Sequence, residues 1–431
     1  MKVLLLFTTL IVLIFIPAGS THGTTVPSDQ TDSVNLTQAA AADAGDTAFV
    51  YPLSPERKEL LVSYSRFTNI WRFVIFFVDV IILILLLYLG ISGKLKSWAV
   101  RISRKRFFTY LFYFLFFYLL YYLLTLPFNY YRDFVIEHRY GFSNQNLAEW
   151  FGENLKMLGI TFVIGFIVIL IAYWLINRFR RWWLYFAAGM IPFMVLIIII
   201  FPVFLAPMFN KFEPLKDQNL AAEMTQLADR AGIVNPNIFQ VDASKQSKKL
   251  NAYFTGMFGT KRIVLYDNII NALSVNELKF VMGHEIGHYK MNHIWKGLIL
   301  AVLIMIVAGY LAARYLPRII RNNSLRFGYD RLGDIASLPL LLLFLTVFSF
   351  VTQPVQNAVS RYHEYKSDDY GLRISGVTAR EAATAFDKLS VYNLGDPDPS
   401  PIIEYWFYDH PALKKRIDNA NKMYHIIHTG T

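Results

Sequence analysis

The chain has 431 residues, of which 55% are hydrophobic and only 17% charged, and it contains no cysteine. Soluble globular proteins carry about 25% charged residues, so this composition argues against an ordinary soluble enzyme. The absence of cysteine excludes a disulfide framework, Cys-ligated zinc, an iron–sulfur cluster and a cysteine nucleophile. The net charge of +11 does not indicate a nucleic-acid partner, because many of the cations flank apolar segments, where they orient membrane spans.

The N-terminal residues resemble a targeting segment. A 14-residue apolar run over residues 3–16 follows Lys2 and ends at Pro17-Ala18-Gly19-Ser20. This pattern predicts a signal peptide, or alternatively a short uncleaved anchor, within residues 1–20. Residues 21–72 begin with a stretch rich in Ser, Thr, Ala and Asp, and we expect them to form a flexible linker and lead-in.

Six longer apolar segments follow, and each has about the 17–25 residues that a helix needs to cross a bilayer. They lie at residues 73–91, 107–128, 157–176, 182–205, 294–311 and 335–351. Their continuous rather than alternating apolarity predicts helices. The sequence therefore predicts a polytopic membrane protein with four spans in residues 73–205 and two further spans beyond residue 293.

The connections between the spans differ in charge. Fourteen Lys and Arg residues lie in 92–106, 177–181 and the basic connection 312–334, against seven in 17–72 and 129–156. The positive-inside rule places the first set in the cytoplasm, and Lys2 independently places residues 17–72 outside. Both signals put the two long polar regions on the outer side.

These polar regions, 206–293 and 352–431, are expected to fold in water. Strand-like residues 251–258 and 262–266 predict a hairpin. Ser274 and Glu277 have capping-box spacing, which predicts a helix running through residue 293 towards the next span. The second region is expected to be mainly helical.

The predicted helix carries the motif His284-Glu285-Ile286-Gly287-His288. Residues four apart lie on one helix face, so His284 and His288 can both ligate one tetrahedral zinc. Glu285 lies about 100° further round the helix, where it can act as a general base. A polar helix face that happens to carry two histidines is the alternative explanation.

A third protein ligand must come from elsewhere in the chain. His293 does not have metzincin spacing and is expected to be a polar interfacial residue. Glu364 and Asp368 share a helix face, so one could ligate zinc while the other orients a ligand histidine. The alternative is that they belong to a solvated, ion-paired face, and the neighbouring His363 is expected to be a bystander.

Several segments resemble the type I CAAX prenyl protease family of integral-membrane zinc metalloendopeptidases. They are GHEIGHYK at 283–290, NAVSRYHEYKSDDYG at 357–371, NAYF at 251–254, LAPMFNKFEPL at 205–215, SPERKEL at 54–60, FVIEHRYGFSNQN at 134–146 and DHPALKKRI at 409–417. The resemblance spans nearly the whole chain after residue 50. It implies a polytopic all-α membrane protein with a zincin-like α+β catalytic domain, whose helices enclose an intramembrane chamber.

The resemblance also implies roles for individual residues. It implies one Zn²⁺ per chain held by His284, His288 and Glu364, with Asp368 behind them and Glu285 as the catalytic carboxylate. Residues 251–253 (Asn251, Ala252 and Tyr253) match a substrate-binding edge segment, although an ordinary strand is the alternative. His410 and Arg416 match candidate oxyanion donors, with a helix-start residue and a salt bridge as their alternatives.

The functional hypothesis is a membrane zinc endopeptidase that removes C-terminal tripeptides from prenylated proteins or cleaves related membrane-associated peptides. A membrane protein quality-control protease is the alternative, and a transporter with a structural zinc is disfavoured because no fourth protein ligand is visible. The expected partners are the lipid bilayer and a peptide or protein substrate, including lipidated ones, and no nucleic acid. The expected location is a bacterial inner membrane with the catalytic side outward, or the endoplasmic reticulum membrane in a eukaryote.

Overall fold

The computed structural model of the chain describes residues 55–233, 236–255, 262–393 and 395–429. The expected signal peptide or anchor at 1–20 and the linker residues 21–54 lie outside the described residues. The last part of the expected lead-in, residues 55–72, is helical. Its buried Leu61 and Tyr64 pack on Ile136 and Phe142, so apolar residues at helical spacing extend the first span towards the N-terminus.

The N-terminal half is a bundle of long helices joined by short connections. Its helices are α1 (Pro55–Tyr88), α2 (Ile91–Ile102), α3 (Arg106–Tyr130), α4 (Leu147–Arg178) and α5 (Trp182–Ile200). Gly90, with φ of 63°, provides the left-handed turn between α1 and α2. A capping box between Asn146 and Glu149 begins α4.

A small mixed sheet follows the bundle. Its strands are β1 (Phe212–Pro214), β2 (Asn237–Val241), β3 (Ala252–Thr255) and β4 (Arg262–Tyr266), in the spatial order β1-β2-β4-β3. The pairs β1–β2 and β3–β4 are antiparallel, whereas β2 and β4 are parallel. The predicted hairpin is therefore present as β3–β4, and β3 lies at an edge of the sheet. Helices α6 (Gln218–Arg230) and α7 (Asp267–Ala272) accompany the strands.

The motif helix α8 (Val275–Lys290) begins at the predicted capping box of Ser274 and Glu277. It does not run through residue 293 as expected. Asn292 adopts a left-handed conformation with φ of 57°, and the next helix, α9 (His293–Phe327), starts in a new direction. A break at Asn292 thus separates α8 from the span that follows.

The last two spans are longer than the sequence predicted. The expected basic connection 312–334 is helical up to Phe327 as part of α9. Helix α10 (Leu338–Ser375) has 38 residues and continues without interruption from the last span into the segment that carries Glu364. The expected boundary between residues 351 and 352 is therefore not a structural one.

Three helices complete the second polar region: α11 (Ala379–Asn393), α12 (Pro401–Phe407) and α13 (Leu413–Thr429). Residues from α8, α11, α13 and the sheet share one hydrophobic core, to which Leu265, Ile286, Phe386 and Ile417 contribute. The two polar regions thus form one folded unit, although two spans separate them in the chain.

In the described part of the chain, six helices are long and apolar enough to cross a membrane, which confirms the predicted number. They contain the elements α1, α3, α4, α5, α9 and α10. The basic connections meet at one end of the bundle, where the amide of Asn177 donates to the Gly333 carbonyl (2.8 Å) and Lys96 pairs with Asp334. Because α9 starts at His293 and ends near these connections, the motif helix lies at the opposite end of the spans.

Candidate active site

Three side chains converge where helices α8 and α10 cross. The Nε2 atoms of His284 and His288 on α8 lie 3.0 Å apart. Glu364 on α10 places Oε2 3.3 Å from Nε2 of His284 and Oε1 3.2 Å from Nε2 of His288. Glu364 is only 1% exposed. A residue 76 positions beyond the motif thus completes a cluster of three potential ligand atoms.

The donor set fits a zinc ion. Atoms bound 2.0–2.2 Å from a tetrahedral zinc stand about 3.3–3.6 Å from one another, which is within a few tenths of an ångström of the separations seen here. Two imidazoles and one carboxylate are also the ligand types of catalytic zinc sites that keep a position open. The structure therefore brings together His284, His288 and Glu364 as a candidate metal centre.

The outer nitrogen of each histidine also has a partner. Nδ1 of His284 lies 2.7 Å from Oδ1 of Asp368, and Nδ1 of His288 lies 3.0 Å from Nδ1 of His293. Burial disfavours the imidazolium of His284, but Glu364 and Asp368 outweigh burial and raise the pKa of His284 to about 10. Asp368 is thus placed to orient the His284 ring.

His293 is not the polar interfacial residue that the sequence suggested. It is buried against His288, and the His363 ring stacks on it with the ring centroids 4.0 Å apart. The reason is the left-handed Asn292, which turns the first residue of α9 back towards the end of α8. The His363 ring stacks on His293 and does not belong to the cluster of potential ligands.

Arg416 on α13 holds Asp368 in place. Its Nε and Nη2 atoms donate to the two oxygens of Asp368 at 2.9 and 2.6 Å. A fork-to-fork pair of this kind fixes the orientation of the carboxylate. Two nitrogens of Arg416 are thus bonded to Asp368, and Nη2 also lies 3.6 Å from Oε2 of Glu364.

Glycines let the two ligand-bearing helices approach closely. A Cβ at Gly371 on α10 would lie 2.8 Å from the backbone nitrogen of His284, and a Cβ at Gly283 would lie 3.0 Å from the Gly371 carbonyl. A Cβ at Gly287 would lie 3.2 Å from the Cα of Ser367. This crossing sets the distance between the histidines of α8 and the carboxylates of α10.

We expect Gly371→Ala to push α8 and α10 apart, because the clashing atoms belong to the backbone and cannot rotate away. Overpacking of this kind costs about 1–3 kcal/mol, and the ligand atoms separate with the helices. Thermal unfolding and zinc content of the purified protein measure both effects. Gly152→Ala on α4, where a Cβ meets nothing within 4 Å, is the control. Equal stability and zinc content in both variants would show that α8 and α10 can accommodate a methyl group at position 371.

Glu285 lies beside the cluster but is directed differently from the two histidines. It is buried, and its Oε2 has no hydrogen-bond partner in the described part of the chain. Burial raises the pKa of Glu285, opposed by the positive charge that His284 and His288 can carry. The backbone N–H of Phe254 on β3 also interacts with this carboxylate. Glu285 thus combines an available oxygen with a position between the metal centre and the edge strand.

Comparison with known proteins places this site in a family. The sequence profile of peptidase family M48 matches residues 214–424, and a profile described as "CAAX prenyl protease N-terminal, five membrane helices" matches residues 53–211. A Bacillus subtilis protein named as the uncharacterized metalloprotease YhfN is 34% identical over 372 residues, covering 86% of this chain and 87% of the relative. This chain belongs to peptidase family M48.

Other relatives of this M48 peptidase carry more specific names. CAAX prenyl protease 1 of Saccharomyces cerevisiae is 32% identical over 68% of this chain and 67% of the relative. The crystal structure of Ste24p from S. mikatae matches with a TM-score of 0.72 and 26% identity, over 85% of this chain and 89% of that one. The resemblance to the CAAX prenyl protease family is thereby confirmed. The protein is a multi-pass membrane metalloendopeptidase that uses zinc.

His410 faces the metal centre of this M48 peptidase from the loop between α12 and α13. Its Nε2 lies 3.4 Å from Oε2 of Glu364, and its Nδ1 lies 3.0 Å from Oδ1 of Asp409. Burial lowers the pKa of His410, but the carboxylates of Glu364 and Asp409 outweigh burial and raise it. A nitrogen that can donate a hydrogen bond is therefore held beside the cluster.

The edge strand β3 borders the motif helix of this M48 peptidase. Ala252 and Phe254 are buried, while Tyr253 is half-buried and packs against Tyr266. The carbonyl of Asn251 accepts from the backbone N–H of Tyr266. The structure thus brings the predicted edge segment next to Glu285, with the outer edge of β3 unpaired in the described sheet.

Two contributions to the site were not predicted from the sequence. One is His293, whose ring reaches His288 only because Asn292 reverses the chain. The other is the glycine crossing, although Gly283 and Gly287 are four residues apart and match the small-xxx-small pattern of closely packed membrane helices. That spacing was the signal that could have indicated a close helix partner.

Proposed function

We propose that the enzyme hydrolyses peptide bonds of membrane-associated substrates, with the C-terminal tripeptide of a prenylated protein as the first candidate. The observation that carries this proposal is that Glu364 belongs to the same uninterrupted helix as the last membrane span. A substrate whose lipid lies in the bilayer can therefore present its peptide segment at the height of the metal centre. The name of the S. cerevisiae relative, CAAX prenyl protease 1, supports the same substrate class.

In the proposed mechanism, His284, His288 and Glu364 would hold zinc. When bound, zinc would supply Lewis-acid chemistry, polarising the scissile carbonyl and making the attacking water more acidic. Glu285 accepts the proton of that water and delivers it to the leaving amine. The raised pKa of Glu285 makes its carboxylate a stronger base than an exposed glutamate.

We assign different tasks to His410 and Arg416. His410 donates a hydrogen bond from Nε2 to the oxyanion that develops during attack, since it lies beside Glu364 and its pKa is raised. Arg416 holds Asp368, which in turn orients His284. His410 would thus contact the reacting atoms directly, whereas Arg416 is a positioning residue.

The peptide substrate is proposed to bind as an additional strand on β3. Its backbone would pair with the outer edge of residues 251–253, and this pairing requires no particular substrate side chains. Because the Phe254 N–H interacts with Glu285, a strand added here passes the catalytic carboxylate. The scissile bond is then within reach of the proton acceptor.

We expect His293→Ala to weaken zinc binding by about 10–100-fold, the usual effect of losing a hydrogen-bond partner of a ligand histidine. When Nε2 of His288 binds the metal, its Nδ1 carries the proton and must donate it to Nδ1 of His293. Competition with a chelator of known affinity measures the change. His363→Ala removes a neighbouring ring that does not touch a ligand, so it should leave the affinity nearly unchanged. Equal zinc affinities of the His293→Ala and His363→Ala variants would show that His293 does not support zinc binding.

The substrate proposal is tested with two peptides of the same sequence, one farnesylated and one unmodified. Purified enzyme should cleave the farnesylated peptide with a kcat/KM at least about tenfold higher, because the lipid supplies binding energy that the bare peptide lacks. Glu285→Gln enzyme controls for contaminating proteases. Equal cleavage of both peptides would reject prenyl specificity while leaving the peptidase activity intact.

A second candidate function is quality control of membrane proteins, and the arrangement of charge favours it. The basic connections meet at the end of the bundle opposite the metal centre, so the positive-inside rule places the catalytic unit outside the cytoplasm. An outward-facing site meets unmodified membrane proteins. Cleavage of a destabilised membrane protein, together with equal cleavage of the two peptides, would favour this candidate.

The orientation itself can be measured in a bacterial host. A phosphatase reporter, which is active only outside the cytoplasm, should be active when fused after Thr431, because this end follows the catalytic unit. The same reporter placed after Asn323, among the basic residues of α9, should be inactive. The reverse pattern would show that the positive-inside rule fails for this protein.

A further inference from the structure

A basic cavity lies at the end of the bundle opposite the active site. It has a volume of about 450 Å³ and is formed where α2 meets the end of α9. Lys94 and Arg101 line it from α2, and Arg326 lines it from α9. All three side chains are exposed, and none has an ion-pair partner in the part of the chain that the structure describes.

Glycines bring the three cations together. A Cβ at Gly93 would lie 3.3 Å from the Phe327 carbonyl, and a Cβ at Gly90 would lie 3.3 Å from the Arg326 carbonyl. A side chain at either position would require the two helices to shift by a few tenths of an ångström, so the glycines favour this close crossing of α2 and the end of α9. The crossing places cations from two separate connections around one cavity, at a cost in mutual repulsion that an anion would relieve.

The cavity also has an apolar border. Trp98 is 54% exposed and Leu325 is fully exposed, and both line the cavity beside the cations. Helix α2 connects the ends of two spans and buries only Ser92, Leu95 and Ala99 of its residues. A short helix with this pattern lies in the plane of the membrane interface, where tryptophan is enriched.

These observations distinguish between the possible anionic ligands. A soluble anion such as phosphate is matched by the cations alone, and exposed Trp98 and Leu325 would then have no role. A phospholipid matches both parts, since its phosphate meets the cations while its acyl chains cover the apolar border. Basic pockets between membrane helices on the cytoplasmic side are known sites for anionic lipid headgroups.

We propose that the cavity formed by Lys94, Arg101 and Arg326 binds the headgroup of an anionic phospholipid. The lipid holds α2 against the end of α9 by neutralising cations from both helices. This site is about the length of the membrane spans away from the metal centre, so it is independent of the proposed substrate. The cations belong to the connections that the positive-inside rule places in the cytoplasmic leaflet, where anionic lipids are abundant.

The test measures lipid binding to the purified full-length protein in detergent by native mass spectrometry. Phosphatidylglycerol and phosphatidylcholine are titrated separately, and phosphatidylglycerol should bind more tightly. The triple variant Lys94→Gln/Arg101→Gln/Arg326→Gln should bind phosphatidylglycerol about a hundredfold more weakly, given about fivefold per cation. The single variant Arg101→Gln should show about one fivefold step.

A matched control removes the same number of charges elsewhere on this end of the protein. Arg104→Gln/Lys105→Gln/Arg321→Gln changes three exposed cations that do not line the cavity, and the affinity should fall by less than about threefold. Equal weakening in both triple variants would mean a diffuse basic surface and overturn the proposal. Equal binding of the two lipids would do the same.

Two further measurements complete the design. Inorganic phosphate at millimolar concentration should not displace phosphatidylglycerol, whereas displacement would mean a site for soluble anions and overturn the lipid proposal. Peptide hydrolysis in detergent should be the same in the parent and the triple variant, since none of the changed residues lies near the metal centre. If the triple variant does not fold, the Arg101→Gln variant provides the test, because its affinity for phosphatidylglycerol should be about fivefold lower.

Discussion

Glu364→Ala is expected to purify as a folded membrane protein that retains no stoichiometric zinc and has no detectable peptidase activity. Glu364 supplies the only carboxylate of the described donor cluster, and two histidines alone leave a catalytic zinc without its third protein ligand. The replacement also leaves His284 and His288 facing an empty volume at a position that is only 1% exposed. Metal analysis of the purified variant measures the loss directly.

Two variants on the same helix calibrate this result. Asp369→Ala removes a neighbouring carboxylate that bonds to Asn419 instead of a ligand, so it should keep a full equivalent of zinc. Asp368→Ala should keep zinc with about 10–100-fold weaker affinity, because it only orients His284. A full equivalent of tightly held zinc in Glu364→Ala would mean that another residue is the third ligand.

Glu285→Gln is expected to show the opposite combination, with normal zinc content and a kcat reduced by about 10²–10⁴-fold. The amide is nearly the same size as the carboxylate and can still meet the Phe254 backbone. It cannot accept the proton of the attacking water. Zinc content, thermal unfolding and steady-state kinetics on one cleavable peptide separate chemistry from folding.

The comparison of the two variants is itself informative. Glu364→Ala should lose metal and activity together, whereas Glu285→Gln should lose activity alone. A Glu285→Gln enzyme with parental turnover would reject Glu285 as the proton acceptor and would point to a different base at the site.

The membrane architecture could be predicted from the sequence because the bilayer imposes a length. Continuous apolar segments of at least about 17 residues leave few alternatives to spanning helices, and six such helices are present. The metal-binding face was equally predictable, since residues four apart on a helix must share a face. In both cases a local pattern was sufficient.

The ends of the helices could not be predicted in the same way. After Val351 the sequence becomes polar, and composition suggested a boundary, but the helix continues through Pro354, which lacks a backbone N–H, and ends only at the left-handed Gly376. The reverse error occurred at Asn292, where a single left-handed residue breaks a helix that polarity and periodicity would continue. The positions of such helix ends and breaks depend on packing, which cannot be deduced from amino-acid composition.

Partners across the fold were also beyond local patterns. The contact between Gly371 and His284 joins residues 87 positions apart, and it depends on the absence of a side chain. The ring of His293 meets His288 only after the chain has turned. Resemblance to a family indicated Glu364 and Asp368, but the reason they reach the histidines is this close crossing of α8 and α10.

The uninterrupted helix α10 has a consequence for how the enzyme can be handled. Glu364 lies on the helix that forms the last membrane span. His293, which contacts the ligand candidate His288, is the first residue of another spanning helix. Excising the polar regions as a soluble fragment would therefore cut both helices at the metal centre, leaving frayed ends where the ligands need fixed positions. The bilayer, or a detergent micelle that replaces it, is thus a structural component of the catalytic centre, and shedding the domain from the membrane would inactivate the enzyme.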